Sequence, residues 1–201
     1  MEKKLKNSLR IAKAATRLFN KKGYLETNMD DIAAAARTSK GGVYHYFSSK
    51  DEILYFILSN YMDLILKDLE SDLDQMQNSS SKIKFIISRH IDLYTGNLAA
   101  AKTLLHEAHC LPSKYYKSIA EKERKYYRIV ANVLTELLGG RDRIDEAHIT
   151  SLTFLLFGMC NWIYSWYDPK GRISPEVLSE MILNVFLKGV DKFRPDLHLK
   201  L

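Results

Sequence analysis

The chain has 201 residues, 46% of them hydrophobic, which is enough to bury a sizeable core in one domain or two small ones. Glycine and proline are scarce, at nine and four residues, so neither a collagen-like nor a disordered chain is expected. The two cysteines, Cys110 and Cys160, form no Cys-x-x-Cys or secretory pattern, and no disulfide is required. The basic start lacks the apolar stretch of a signal peptide, and no apolar run is long enough for a membrane span, so we expect a cytoplasmic protein.

The net positive charge is concentrated in the first quarter of the chain. Residues 1–50 contain 11 Lys or Arg and 4 Asp or Glu, a balance of +7, whereas the whole chain carries +6. A basic quarter beside a nearly neutral remainder is typical of a small module that binds a polyanion. A solvated basic face is the alternative, and charge alone does not separate the two.

The first segments of the chain contain residues that typically begin and end short helices. Apolar residues recur at helical spacing and stop at Gly23, which predicts a first helix that ends there. Thr27 offers a hydroxyl N-cap to the second helix, "NMDDIAAAAR", and Ser39 offers one to the third. Ser49-x-x-Glu52 is a capping box that opens a fourth helix.

The rest of the chain is also helical by periodicity. The fourth helix is predicted from about Lys50 to Met76 and is followed by a polar linker, "QNSSSK". Further helices are predicted near residues 82–95, 99–110, 113–138, 145–167 and 174–193. Because no strand pattern is found, we expect an all-α protein, in which three short helices over residues 1–49 precede a larger helical bundle over residues 50–201.

The second and third predicted helices are separated only by "TS", which favours a helix-turn-helix corner. In that motif the second helix enters the DNA major groove with its N-terminal end first. Gly41 and Gly42 would let backbone N–H groups approach a phosphate or base edge, although each glycine costs about 1 kcal/mol of helix stability relative to alanine. We expect Lys40, Tyr44 and His45 to contact phosphates or bases. An aromatic core helix without a DNA role is the alternative.

Four apolar residues and two polar ones complete the predicted helix-turn-helix. Thr27 and Lys50 lie at helix starts that flank the groove. The apolar positions are assigned to the packing core of the three helices, and they are Ile32, Ala35, Val43 and Phe47.

Residues 8–56, with "AATRLFNKKGYLETNMDDIAAAARTSKGGVYHYFSSKDEIL", resemble the DNA-binding domain of the TetR family of bacterial transcriptional regulators. The shared elements "LF..KGY..T" and "DIA..A..SKG..Y.YF..K..L" occur in order and at the family spacing. The resemblance implies an all-helical homodimer, a double-stranded DNA operator with two half-sites, and a C-terminal domain that binds a small molecule or partner. Gly42 stands where many members have Thr or Ser, so one hydroxyl contact is absent. The family's DNA contacts correspond here to Thr27, Thr38, Lys40, Gly41, Tyr44, His45 and Lys50.

The last two predicted helices are too apolar for one protomer to cover both faces. In the TetR family the corresponding helices form a four-helix dimer interface, so the resemblance implies a homodimer through them. Burial inside the monomer is the alternative. The apolar positions include Leu152, Leu155, Leu156, Met159, Trp162, Ile163, Trp166, Val177, Met181, Val185 and Leu187.

Two C-terminal segments resemble the branch of TetR regulators that respond to acyl-CoA thioesters. They are "LLHEAHCLPSKYYKSIAEKERKYYRIV" and "GMCNWIYSWYDPKGR". Trp162, Trp166 and Arg172 could supply aromatic and cationic contacts for an acyl-CoA-like ligand, or the tryptophans could be packing residues. Ser165 and Asp168 depart from the branch, which often has a basic residue there.

Two polar residues in apolar helices are further ligand-binding candidates. Asn161 needs a hydrogen-bond partner in its apolar helix, either a ligand or a residue across the dimer interface. His90, in "ISRHIDLY", is either a pocket-lining or a core histidine.

No pattern indicates a catalytic or metal centre. His106, His109 and Cys110 in "HEAHC" could hold a transition metal, but the spacing is not His-Glu-x-x-His and pocket-lining histidines are favoured. Because there is no nucleophile elbow, P-loop or dinucleotide fingerprint, we expect neither an enzyme nor a cofactor. A purely architectural DNA-binding protein is disfavoured by the roughly 120 residues after the linker.

The sequence and its resemblance therefore predict a repressor that a small molecule, of the acyl-CoA thioester or fatty acid class, releases from its operator. The ligand would favour a different separation of the DNA-binding helices and so lower the DNA-competent population. The alternative is a TetR-type regulator of efflux or stress genes that senses an unrelated hydrophobic compound.

Overall fold

The computed structural model describes residues 2–140 and 142–190, with the backbone alone for residues 2, 3 and 190. Within these ranges every regular element is helical, as expected from the sequence, and no strand occurs. The described residues form ten α-helices: α1 Glu2–Lys22, α2 Met29–Ala35, α3 Lys40–Tyr44, α4 Lys50–Leu66, α5 Leu69–Asp74, α6 Ser79–Gly96, α7 Leu98–Glu107, α8 Ser113–Leu137, α9 Glu146–Asn161 and α10 Pro175–Val190. In the described part of the chain no helix is both long and apolar enough to cross a membrane.

The helices form two compact units. The first unit contains the chain up to Leu64 together with Asn97–Glu123, and the second contains Ile65–Gly96 and the chain from Arg124 onwards. Helices α4 and α8 contribute residues to both. The predicted domain boundary between residues 49 and 50 separates two proposed functions, DNA binding and ligand binding with dimerisation, and does not coincide with the packing units. This division by function stays a prediction.

The core of the first unit is built where apolar side chains recur on one face of each helix. Ile11, Ala15 and Phe19 are spaced four residues apart on α1 and are almost completely buried. Ile32 of α2 and Val43 of α3 pack into the same unit with no exposed surface. The assignment of Ala35 to this core is wrong, because Ala35 is exposed and its neighbours at positions 33 and 36 are buried instead.

Helix α7 and the start of α8 are tied to the N-terminal helices within the first unit. The Asn20 amide, on α1, donates to the Ala99 carbonyl at 2.9 Å and to the Thr103 hydroxyl at 2.8 Å. The Lys122 ammonium, on α8, lies 2.6 Å from the Asp63 carboxylate on α4. Residues 97–123 therefore belong to the same packing unit as the helix-turn-helix.

Helix α2 is capped one residue later than expected. The Asn28 side chain accepts from the Asp31 N–H at 2.9 Å, and the Asp31 carboxylate accepts from the Asn28 N–H at 3.0 Å, which completes a capping box. The prediction that Thr27 caps this helix is therefore wrong. Thr27 is buried, and its hydroxyl donates to the Gly23 carbonyl at 2.8 Å, where it secures the loop after α1.

The predicted fourth helix is interrupted. It ends at Leu66, and α5 begins at Leu69 after Asp68, which adopts a left-handed conformation with φ of 57°. The Arg89 guanidinium donates to the Lys67 carbonyl, which the end of α4 leaves without a helical partner. A single helix from residue 50 to 76 is therefore wrong, because a side chain from another helix stabilises the break.

Two further boundaries differ from expectation. Helix α6 begins at Ser79, inside the predicted linker, because the Asn78 side chain accepts from the Ser80 N–H at 2.8 Å. Helix α9 ends at Asn161 and continues as a 3₁₀ turn over Trp162–Ser165. The predicted end of the last helix, at residue 193, lies outside the described residues.

The second unit is organised around α6, which packs mainly against α10 and also against α9. Ile83, Ile87 and Ile91 recur at four-residue intervals on α6 and have no exposed surface. Leu156 of α9 and Phe186 of α10 are buried in the same unit. This packing leaves the opposite faces of α9 and α10 uncovered in the protomer.

Candidate functional site

A fixed turn joins α2 to α3. The Thr38 N–H donates to the Ala33 carbonyl and the Arg37 N–H to the Ala34 carbonyl, each at 3.0 Å. Arg37 adopts the left-handed conformation with φ of 52°. These two bonds and the left-handed residue form a Schellman motif, in which glycine is the usual residue. The corner has four residues instead of the two expected, and its hydrogen bonds fix the direction of α3.

Helix α3 presents one face to the outside. Val43 has no exposed surface and packs inward, whereas Tyr44 is 48% exposed and Lys40 and His45 are also exposed. A methyl group on Gly41 would project into open space, since no heavy atom lies within 4 Å of that position. This face, formed by Lys40, Gly41, Tyr44 and His45, is called the recognition face below.

Gly42 has a role inside the protein rather than on the recognition face. A Cβ at this position would lie 2.4 Å from the Thr38 hydroxyl oxygen and 3.2 Å from that of Ser39. The Gly42 N–H donates to the Ser39 side chain at 3.0 Å, which confirms Ser39 as the N-cap of α3. Close approach to a ligand can explain Gly41, whereas Gly42 makes room for the corner and its cap.

The charge on the recognition face is partly compensated. The Lys40 ammonium lies 2.9 Å from the Asp30 carboxylate, and both side chains are more than half exposed. The hydrogen bond to Asp30 raises the pKa of Lys40, which therefore stays cationic. Exposed ion pairs of this kind contribute little stability, so a phosphate could replace Asp30 as the partner of Lys40 at small cost.

Lys50 is held by the loop after α1. Its ammonium donates to the carbonyl oxygens of Tyr24 at 2.8 Å, Leu25 at 3.2 Å and Thr27 at 2.7 Å. It also lies 4.2 Å from the centre of the Tyr24 ring. Three acceptors match the three donors of an ammonium group, so DNA contacts by Lys50 and by the buried Thr27 are less favoured than contacts by the recognition face.

Replacing Lys50 with methionine is expected to lower the free energy of unfolding by about 2 kcal/mol, because three carbonyl groups lose a charged donor. Urea denaturation followed by circular dichroism measures this change. Lys40→Met is the matched control, and its effect should stay below about 0.5 kcal/mol because Lys40 is exposed. Equal stability of the two variants would contradict the internal role of Lys50.

In the second unit, a polar cluster joins α6, α8 and α9. The two ring nitrogens of His90 lie 2.9 Å from the Tyr126 hydroxyl and 2.9 Å from the Asn161 side-chain oxygen. Since the amide oxygen only accepts, His90 donates from Nε2 to Asn161 and accepts at Nδ1 from Tyr126. The Tyr94 hydroxyl donates to the Asn161 backbone carbonyl at 2.8 Å, at the end of α9.

The polar cluster of His90, Tyr94, Tyr126 and Asn161 lies in aromatic surroundings. The ring of Tyr126 stacks on Phe157 with 5.3 Å between centroids. Burial lowers the pKa of His90 to about 4, although the hydrogen bond to Asn161 opposes this shift, so the imidazole is neutral at pH 7. His90 as a residue nevertheless retains some accessible surface.

The other predicted ligand residues lie elsewhere on the second unit. Trp162 is 62% exposed and Trp166 is 58% exposed, and Arg172 is exposed as well. A 3₁₀ turn over Trp162–Ser165 replaces the end of the α-helix that was predicted near residues 145–167. The structure therefore brings His90 and Asn161 together through a hydrogen bond, whereas Trp162, Trp166 and Arg172 are exposed.

Sequence reasoning missed the two tyrosines of the polar cluster. Tyr94 follows His90 by four residues on α6, a spacing that places both on one helix face. Tyr126 belongs to the segment of α8 that was noted only for its resemblance to the acyl-CoA-responsive branch. The spacing from His90 could have identified Tyr94, whereas Tyr126 reaches the cluster only through tertiary packing.

An apolar face runs along α9 and α10. Leu152, Leu156 and Ile163 of the predicted interface set are buried within the protomer. Six other members of that set remain half-exposed or more, and the exposed phenylalanine of α9 joins them. Those that lie on the two helices, called the apolar face of α9 and α10, are Phe154, Leu155, Val177, Met181 and Val185, whereas Trp162 and Trp166 follow the end of α9.

The histidines of "HEAHC" do not form a metal site in the described part of the chain, where no group of three or more His, Cys, Asp or Glu could hold an ion. The Cys110 sulfur lies 3.5 Å from a ring nitrogen of the adjacent His109. His106 lines a recess of about 210 Å³ in the first unit, together with Phe19, Asn20, Gly23, Lys102, Thr103 and Glu107.

The comparisons with known proteins agree with this organisation. A TetR-family structure from Bordetella parapertussis 12822 is 29% identical, with a TM-score of 0.84 and coverage of 92% of this chain and 97% of that one. AibR, solved with isovaleryl coenzyme A and operator DNA, is 27% identical with a TM-score of 0.77, covering 89% and 97%. The Fatty acid metabolism regulator protein of Bacillus subtilis (strain 168) is 22% identical over 94% of this chain and 98% of its own length.

Two family descriptions cover most of the chain. "Bacterial regulatory proteins, tetR family" matches residues 11–55, which contain the corner and the recognition face. "Tetracyclin repressor-like, C-terminal domain" matches residues 77–190, more than half of the chain. The chain belongs to the TetR family of bacterial regulatory proteins.

Proposed function

We propose that the protein is a cytoplasmic transcriptional repressor that binds a double-stranded operator as a homodimer and is released by an acyl-CoA thioester. The recognition face on a fixed helix-turn-helix corner carries the DNA-binding part of this proposal. The apolar face of α9 and α10 supports the homodimer, and the polar cluster supports the ligand site.

The recognition face suits the DNA major groove. Lys40, Tyr44 and His45 provide donors for phosphates and base edges, and Gly41 lets the backbone come close to the duplex. The remaining predicted contacts, Thr38, Thr27 and Lys50, lie in or beside the loops that hold α3. Base readout by α3 and positioning by these loops would together give sequence preference.

Lys40→Ala and His45→Ala are each expected to weaken operator binding by about tenfold at fixed salt and to weaken binding to random DNA less. Fluorescence anisotropy with operator and scrambled duplexes measures the two affinities. Lys117→Ala is the control, because it removes one exposed lysine from α8, outside the helix-turn-helix. Equal losses on operator and scrambled DNA would remove the base-readout role of these two residues.

The homodimer follows from the apolar face of α9 and α10. Val177, Met181 and Val185 recur every four residues on α10 and are each more than half exposed in the protomer. Contiguous exposed apolar residues of this extent mark an interaction surface. A two-fold axis that pairs this face with the same face of a second copy would also give the two-fold symmetry of an operator with two half-sites.

The ligand is proposed from both geometry and similarity. The polar cluster offers hydrogen-bonding groups among the aromatic rings of Tyr126 and Phe157, a combination common in small-molecule sites. AibR, 27% identical, binds isovaleryl coenzyme A, and the Bacillus subtilis relative is named for fatty acid metabolism. Trp162, Trp166 and Arg172 remain proposed contacts for the coenzyme A portion, on the exposed part of the second unit.

Operator release tests the whole proposal. Isovaleryl-CoA, octanoyl-CoA and stearoyl-CoA are titrated into the protein–operator complex, with free coenzyme A as the control. We expect at least one thioester to raise the melting temperature of the free protein and to dissociate the complex. Release by hydrophobic compounds without coenzyme A, but by none of the thioesters, would favour the efflux or stress regulator instead.

A further inference from the structure

The side-chain oxygen of Asn161 has a hydrogen-bond partner, whereas its side-chain nitrogen is available to donate. Its oxygen accepts from His90 Nε2 at 2.9 Å, and its backbone carbonyl accepts from the Tyr94 hydroxyl at 2.8 Å. Among the described residues, no group accepts a hydrogen bond from the Asn161 amide nitrogen, and Asn161 remains partly accessible. The bond from His90 fixes the direction of the side-chain amide, so its two N–H donors point away from His90.

The chemistry around these donors is neutral. Both ring nitrogens of His90 are occupied, one by Tyr126 and one by Asn161, and the ring carries no charge at pH 7. The rings of His90 and Tyr126 both stack on Phe157. A carboxylate would gain no ion pair from the neutral imidazole, whereas a neutral carbonyl needs only a hydrogen-bond donor.

We infer that the Asn161 amide nitrogen donates to the acyl carbonyl oxygen of the ligand, and that His90 is a positioning residue that orients this amide without contacting the ligand. This inference rests on the proposed function, because it assigns the carbonyl of the proposed thioester. It separates two residues that sequence reasoning grouped together as ligand contacts.

Pairs of ligands that differ only at the carbonyl measure the contribution of that carbonyl to binding. Octanoyl-CoA and S-octyl-CoA differ only in the replacement of the carbonyl by a methylene, and the same pair can be made with the isovaleryl and stearoyl chains. Isothermal titration calorimetry on the full-length protein should show the thioester binding about tenfold more tightly than the thioether, as expected for one hydrogen bond to a preorganised donor. Free octanoate should bind more weakly than octanoyl-CoA.

Asn161→Asp is the decisive variant, because it keeps an oxygen for His90 and replaces the amide donors with an acceptor. The ratio of thioester to thioether affinity should fall to one or below. His90→Gln can still donate to Asn161 and should keep the preference, whereas His90→Leu should lose most of it. The measured quantity is the ratio of thioester to thioether affinity within each variant. A general loss of stability weakens the binding of both ligands and leaves this ratio unchanged.

Three outcomes would count against the inference or its basis. An unchanged thioester preference in Asn161→Asp would overturn the inference and leave the proposed function standing. Dissociation of the Asn161→Asp dimer with the preference intact would assign the amide to the dimer interface instead. Failure of all three acyl-CoA thioesters to bind the wild-type protein would contradict the proposed function itself.

Discussion

Val185→Glu is expected to convert the homodimer into monomers and to weaken operator binding by about a hundredfold or more, because the two half-sites are then bound independently. Val185 lies on the apolar face of α9 and α10 and is 65% exposed in the protomer. In a symmetric interface each of the two copies would bury an unpaired carboxylate, so the desolvation penalty applies twice. Analytical ultracentrifugation measures the oligomeric state, and fluorescence anisotropy measures operator affinity.

Leu105→Glu provides the matched control for this experiment. Leu105 is an apolar residue of α7 that is 43% exposed and lies outside the apolar face of α9 and α10. The same glutamate placed there should leave both the dimer and the operator affinity unchanged. A Val185→Glu protein that still sedimented as a dimer would show that another surface holds the two copies together.

Acidification is expected to destabilise the protein through His90. The pKa of His90 falls from an ordinary value of 6.5 to about 4 on folding, because burial disfavours the imidazolium. Between these two pH values the unfolded chain binds a proton that the folded chain does not, so stability falls as the pH decreases from 6.5 towards 4. The shift corresponds to a loss of about 3 kcal/mol by the lower limit.

The comparison of wild type with His90→Gln isolates this contribution from the titration of carboxylates. Urea denaturation at a series of pH values should give the wild-type protein a steeper loss of stability than the variant over this interval. Glutamine can keep the hydrogen bond to Asn161, so stability at neutral pH should change little. Parallel pH profiles would mean that His90 becomes protonated without unfolding its surroundings.

Local sequence signals predicted much of the helix-turn-helix. Ser39 and Ser49 lie where their hydroxyls accept from backbone N–H groups three residues on, so short-range chemistry was enough to place α3 and α4. Asn28 was overlooked because Thr27, one residue earlier, has an equally suitable hydroxyl. Burial decided between them, since Thr27 lies inside and Asn28 outside.

Features that depend on distant residues were not predictable from the sequence. The break after α4 places Asp68 in a left-handed conformation, and Arg89, more than twenty residues away, stabilises the exposed end of the helix. Lys50 lies at a helix start, which suggested a contact beside the DNA groove. The three carbonyl groups that accept from its ammonium lie on a loop more than twenty residues earlier. In each case a long side chain satisfied backbone carbonyls that no periodicity reveals.

The predicted ligand-binding residues also depend on contacts between distant parts of the chain, which the sequence does not reveal. His90 and Asn161 are 71 residues apart. Asn161 was chosen because a polar amide in an apolar helix needs a partner, whereas His90 was chosen as either a pocket-lining or a core histidine. That physical requirement was correct, but each proved to be the partner of the other. Trp162 and Trp166 were chosen from a motif, and the motif could not show that α9 gives way to a 3₁₀ turn between them.

The hydrogen bonds of Asn20 have a consequence for how regulators of this kind can recombine. A hybrid that joined residues 1–49 to a foreign sensor would remove Ala99 and Thr103, the two acceptors that α7 offers to Asn20. It would also separate the loop after α1 from Lys50. A crossover that transfers residues 97–123 together with the N-terminal helices preserves these bonds, so the segment that must be inherited with the DNA-reading helices is discontinuous in the gene.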